Sequence, residues 1–332
     1  MIFEVDVKLL RATLVAIVVV ACTIFSTSAW SEVMPGLVTR PGAEVALTYY
    51  YPEPFEPAIS QLDAEATAVV EALERRLGLD ALEDVEVYLL RDMNTYFEWQ
   101  GVEYRPSSWA VGLSLSDRST VLVKHGVGSA AEPVDIRKTF IHELAHVAVD
   151  RARAGHHVPR WFNEGFAVLH AEEWTPERSD TLTRAASTGS VMAFSALDRY
   201  FPPHHQSVSL AYAQSFHFVR HLEQRFGEDF FAEVMALVRQ GTSFDEAVHV
   251  SSGSTLSALE TQWRQELEEG ASFWAILSDV NALFFGASFL FLVAFALRVM
   301  RKRRQAQAMV DDDDPGPWDY DPSLYPLPGQ DR

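Results

Sequence analysis

The residues best suited to chemistry lie in Thr139-Phe140-Ile141-His142-Glu143-Leu144-Ala145-His146-Val147. This stretch contains His-Glu-x-x-His, flanked by apolar residues at the spacing of a buried helix. Residues four apart share one face of a helix. His142 and His146 can therefore aim one imidazole nitrogen each at a common point, at the Zn–N distance of about 2.0–2.1 Å. Glu143 sits beside the first of them, where it can reach a water without itself binding a metal.

A zinc site that works on a substrate needs a third protein ligand and one open position. A third His six residues after the second is one common source, with a Gly between. Here those positions are Val149 and Ala152, which closes that route. A Glu from a following helix is the other, and Glu164 in Pro159-Arg160-Trp161-Phe162-Asn163-Glu164-Gly165-Phe166-Ala167 suits it. The polar connection from Asp150 to Pro159 reads as a turn between two helices. Gly165 would let the second helix approach the first closely.

The two stretches together resemble the Glu-liganded zinc peptidases, the gluzincins, and more closely the peptidase MA-like family. The resemblance covers roughly residues 107–222. It implies one Zn²⁺ held by His142, His146 and Glu164, with Glu143 as general base. It further implies hydrolysis of a peptide bond in a peptide or protein substrate. Some relatives orient the first His with an Asp four residues after the third ligand. That position is Val168 here, so another acceptor must serve. The run from Ala211 to Val219 resembles a helix of the same family. Its Tyr212 is the first candidate to donate to the oxyanion, and His217 the second. Tyr212 reads equally well as a core aromatic.

These residues need elements to position them. The periodicity predicts the first zinc helix over Asp135 to Arg151 and the second over Arg160 to Glu173. A further helix is expected over Val208 to Gly227. Before them, a helix over Ile59 to Leu77 ends at Gly78, and strands are expected at Glu44 to Tyr51 and Val85 to Leu90. Trp109 to Leu115 and Thr120 to Val123 flank a turn and suggest a hairpin. Ala110 to Leu113 is the candidate strand edge for an extended peptide, with an interior strand as the alternative. Helices follow over Asp229 to Gln240, Ser243 to Val250 and Ser254 to Glu269. The expected class is α+β: a mostly helical zincin-like catalytic domain with a small mixed sheet on its N-terminal side, plus a C-terminal transmembrane helix. Residues 30–130 form the N-terminal α/β part and 131–270 the helical zinc-binding part.

The chain has 332 residues, 48% of them hydrophobic, which suffices for a large core. Its net charge of −19 disfavours nucleic acid as a partner. The one cysteine, Cys22, excludes a disulfide framework. Residues 1–29 resemble an export signal, with an uncleaved anchor or lipidation at Cys22 as alternatives. Val280 to Leu297 is uncharged and is followed by Arg298 and Arg301-Lys302-Arg303-Arg304. This predicts a membrane span over 278–299, a cytoplasmic and disordered tail over 300–332, and an extracytoplasmic catalytic domain. His204 and His205 read as a solvated loop pair rather than a second metal site. No motif for holding a free α-amine is present, which favours an endopeptidase. A catalytically inactive, peptidase-like binding or assembly protein of the cell envelope, or a zinc amidase acting on a cell-wall amide, are the alternatives.

Overall fold

The computed structural model describes residues 33–312 apart from 108, 127–132, 203–204 and 279, with side chains left undescribed at 116, 205–206, 271–284 and 306–312. The export signal and Cys22 lie outside the described residues. So do His204, the side chain of His205 and the tail beyond residue 312.

A five-stranded mixed sheet forms the N-terminal part, in the order β1-β2-β3-β5-β4. It comprises β1 (Val38–Pro41), β2 (Leu47–Tyr51), β3 (Val85–Leu90), β4 (Gly112–Leu115) and β5 (Thr120–Lys124). Strands β2, β3 and β5 run parallel, while β1 and β4 pair antiparallel at the two edges. The predicted hairpin is present, with Gly112 opposite Val123 and Leu115 opposite Thr120. The alternation of side chains divides the sheet into two faces. Val85, Val87, Leu89, Val121 and Val123 join the main core, whereas Tyr88, Leu90 and Leu122 join a smaller aromatic cluster with Tyr50, Tyr96 and Phe97.

Helices cover the first face. Helix α1 (Glu56–Leu77) ends at Gly78, whose φ of 62° supplies the left-handed cap. A short helix α2 (Asn94–Trp99) follows β3. Helix α3 (Ile136–Arg153) starts at Asp135, whose carboxylate accepts from the Lys138 amide at 3.0 Å. It buries Phe140, Ile141, Leu144, Val147 and Ala148, leaving both histidines on its remaining face. Helix α4 (Arg160–His170) is shorter than expected, and Glu172 has a φ of 53° just beyond it.

The remaining helices are α5 (Pro176–Ser187), α6 (Phe194–Arg199), α7 (His205–Phe226), α8 (Phe230–Arg239), α9 (Phe244–Ser252) and α10 (Leu256–Ser278). Aromatic packing holds α4 in place. Trp161 lies against Phe194 and Phe218 at ring separations of 4.7 and 5.2 Å, and Phe162 against Phe231 and Phe244 at 4.9 and 5.0 Å. The close approach expected at Gly165 is real, but its partner is α7. A Cβ on Gly165 would stand 2.4 Å from the Ser215 carbonyl oxygen. Backbone cannot retreat as a side-chain tip can, so only glycine fits there.

The chain divides into two compact units, Met1–Leu267 and Glu268–Arg332. The second holds the end of α10 and helix α11 (Val280–Asp312). Among the described residues, no helix is long and apolar enough to cross a membrane. The transmembrane helix expected over 278–299 thus finds no support among the described residues. Of the tail expected to be disordered, residues 300–312 are helical, since α11 continues through Arg301–Arg304 to Asp312, and the remainder lies outside the described residues. Gln305, Ala306, Gln307 and Ala308 are good helix formers and carry it on.

Candidate metal centre

His142 and His146 stand one turn apart on α3, their ring centroids 4.8 Å from each other. Glu164 comes from α4, which packs across α3. Its Oε2 lies 3.9 Å from His142 Nε2 and 3.6 Å from His146 Nε2. The three ligand atoms fall within 4.8 Å of one another. Tetrahedral bonds of about 2.0–2.1 Å would place neighbouring ligand atoms about 3.3 Å apart. The donor set therefore fits a zinc ion after small side-chain adjustments.

His146 is held through its other nitrogen, as metal-ligating histidines usually are, and a carboxylate stands close to the other nitrogen of His142. His146 Nδ1 lies 2.9 Å from Asn163 Oδ1, so an Nδ1–H donor leaves Nε2 free to ligate. His142 Nδ1 lies 3.4 Å from Glu173 Oε1, a close approach without hydrogen-bond alignment. Glu173 is in turn fixed by Arg178, which donates to its backbone carbonyl at 2.7 Å and approaches its carboxylate at 3.4 Å. Val168, in the position where some relatives carry an Asp, is packed in the core. The acceptor is supplied instead by Glu173, nine residues after Glu164. The left-handed turn at Glu172 brings it back to the site.

The electrostatics suit a cation. Burial pulls the His142 imidazole down, but Glu173, Glu143 and Glu164 around it prevail and hold it up at about 9. Burial raises the Glu143 carboxyl, opposed by both imidazoles and by the Ser114 hydroxyl bonded to it. Glu143 also lies directly against the backbone of β4. A Cβ on Gly112 would stand 2.5 Å from Glu143 Oε1. Strand β4 is an edge of the sheet, so the expected edge strand is confirmed, shifted from Ala110–Leu113 to Gly112–Leu115.

Tyr212 belongs to the site. Its ring centroid lies 6.4 Å from that of His142, and its hydroxyl interacts with Glu164. Burial, then the charges of Glu164 and Glu143, push its hydroxyl pKa up, so it stays a proton-bearing donor. The Arg178 guanidinium lies 5.8 Å from its ring centroid. His217 does not share this place. Its Nδ1 accepts a hydrogen bond from Trp263 Nε1 at 2.9 Å. That bond puts the imidazole proton on Nε2, which bars His217 from ligating metal despite its four-residue spacing from His221.

Asn163, Glu173, Arg178, Ser114 and Gly112 escaped the sequence reading. Asn163 stood inside the recognised stretch and could have been found there. The others reach the site through tertiary contacts that no local spacing marks.

Two histidines and a glutamate on crossing helices, with a second glutamate beside an edge strand, define a protein with a His-Glu-x-x-His metal centre. The family model for the peptidase MA superfamily matches residues 65–269, and the chain belongs to that superfamily. No curated protein matches it in sequence. Among solved structures, native leukotriene A4 hydrolase from Saccharomyces cerevisiae is similar at a TM-score of 0.37 and 12% identity, over 68% of this chain and 38% of that one. Legionella pneumophila aminopeptidase A in complex with aspartic acid is similar at 0.36 and 16%, over 68% and 27%. The chain thus spans well under half the length of either enzyme.

Proposed function

We propose that this protein is a zinc-dependent peptidase, and within that class an endopeptidase. The observation that carries the reading is the convergence of His142, His146 and Glu164 within 4.8 Å, beside Glu143 and the edge strand β4. A zinc ion held by these three residues would polarise the scissile carbonyl and make water a nucleophile near neutral pH. The chain's own groups do the rest. The free edge of β4 pairs with an extended peptide and presents its carbonyl beside Glu143. Glu143 takes the proton of the attacking water on a carboxylate oxygen and delivers it to the departing amine nitrogen. The Tyr212 hydroxyl donates to the oxygen that gains negative charge. Glu173 and Asn163 hold the two imidazoles in orientation.

The endopeptidase assignment draws on the tasks of the three carboxylates around His142. Glu164 ligates, Glu143 moves protons, and Glu173 holds His142 and Arg178. None is left to hold a substrate α-amine.

The decisive comparison is wild type against Glu143→Gln. Both should carry about one zinc per chain, and only wild type should cleave an unstructured protein internally. Equal rates would remove Glu143 as the base, and a metal-free wild type would remove the hydrolase reading altogether.

Membrane anchoring with an outward-facing domain is proposed from sequence alone. It rests on the uncharged run Val280 to Leu297 and the basic residues after it. Release of the full chain into the supernatant on alkaline carbonate washing of membranes would refute it.

A further inference from the structure

Away from the metal, a groove of about 680 Å³ opens at the C-terminal ends of the parallel strands β3 and β5. Ligands commonly bind at such strand ends. Arg91 follows β3, Lys124 ends β5, and His125 comes next, its ring 4.3 Å from that of Phe55. Two cationic side chains, Arg91 and Lys124, thus share one groove with His125, whose imidazole burial and Arg91 keep in its neutral form, in a chain with 46 acidic and 27 basic residues. Among the described residues, neither Arg91 nor Lys124 has an ion-pair partner. Among the described residues the one acid in the lining is Asp92, whose Oδ1 accepts from the Asn94 amide at 3.0 Å and from Asn94 Nδ2 at 2.7 Å, and its charge offsets one of the two cations and leaves the other. Charge alone therefore favours an anion here.

Two further features narrow the class of anion. Asn94 Oδ1 behind the groove wall has no hydrogen-bond partner and is shut off from solvent, so it accepts an N–H from a ligand once its side chain turns outward. Met34 and Leu90 add apolar wall. Carboxylate, N–H donor and apolar body are together the chemistry of an acidic peptide, whereas inorganic phosphate at neutral pH matches only the first part. The groove is linked to the candidate substrate strand through β5. The Lys124 amide donates to the Val111 carbonyl at 2.8 Å, and Val111 precedes Gly112, which lies on Glu143. A peptide paired with the free edge of β4 would run about 10 Å, two strand spacings, from β5, so its long side chains would reach toward Lys124 where it leaves the strand at Gly112.

We propose that Arg91, Lys124 and His125 form a specificity subsite for a carboxylate of the substrate peptide, set back from the scissile bond. The proposal rests on the peptidase reading for its substrate, but it can be tested without turnover.

The test uses full-length Glu143→Gln protein and two fluorescent peptides, one rich in Asp and Glu and its Asn and Gln isostere. Anisotropy should show the acidic peptide bound about tenfold more tightly, the scale of one or two charge-assisted hydrogen bonds. Adding Arg91→Glu and Lys124→Glu should abolish or reverse that preference. Neither side chain is buried, so the fold should survive, and an unchanged thermal melt verifies it. Equal binding of the two peptides, or a preference that persists after charge reversal, would overturn the subsite. If the preference holds but wild type cleaves neither peptide, the subsite stands and the hydrolase reading falls.

Discussion

Glu173 Oε1 stands 3.4 Å from His142 Nδ1, and Arg178 holds the same glutamate from the far side. The pair takes the part of the aspartate that some relatives carry four residues after the third ligand. Partners of this kind orient the imidazole and strengthen it as a ligand.

Glu173→Gln should therefore weaken zinc binding by about 10–100-fold while leaving the fold intact. Competition with a zinc chelator measures this directly. Arg178→Ala should move affinity the same way and by less, since it acts through Glu173. Wild-type affinity in Glu173→Gln would show that the contact orients nothing.

Tyr212→Phe removes only the hydroxyl. If that hydroxyl serves the oxyanion, kcat should fall by about 10²–10³ with KM nearly unchanged. A rise in KM at constant kcat would instead place Tyr212 in uniform substrate binding. The rival view of Tyr212 as a core aromatic expects neither change.

Gly112→Ala places a methyl group within 2.5 Å of Glu143 Oε1 and 2.7 Å of Thr139 Cγ2. Glu143 must shift, so proton transfer should suffer by about 10²-fold or more, the range set for a displaced general base. The metal ligands are untouched, so zinc content should remain that of wild type. Loss of zinc together with activity would mean that β4 supports the helix rather than the base.

Desolvation of the imidazole, aided by Arg76 and Arg75, pulls half-buried His170 down to about 4, below its ordinary value of 6.5. The folded state thus favours the neutral ring. This contribution is complete above about pH 6.5 and fades as pH falls toward 4, for a total on the order of 3 kcal/mol. Urea midpoints at pH 7 and pH 4.5 should fall less in His170→Phe than in wild type. Metal loss in acid affects both proteins, so their difference isolates His170. Identical falls would contradict the assignment.

Much of the site was legible in the sequence because its chemistry is local. His142, Glu143 and His146 are fixed by one turn of one helix, and Glu164 by a second helix with its own recognisable surroundings. Strand β3 and the glycine cap of α1 appear within a residue of their expected places, since alternation and a left-handed glycine are strong local signals. The second zinc helix came out shorter because nothing in its periodicity announces the turn at Glu172. Gly165 faces Ser215 on α7 and not the first zinc helix, because sequence order does not say which neighbour a glycine admits.

By itself, then, the sequence determined which atoms can hold and use a metal, because ligand spacing along a helix obeys 3.6-residue geometry alone. Only the tertiary structure decided what steadies them: Glu173 and Arg178 behind His142, Ser114 and Gly112 against Glu143, and β4 at a sheet edge. Those contacts join residues far apart in the chain. They exist only once core packing has fixed the crossing of helices and the order of strands.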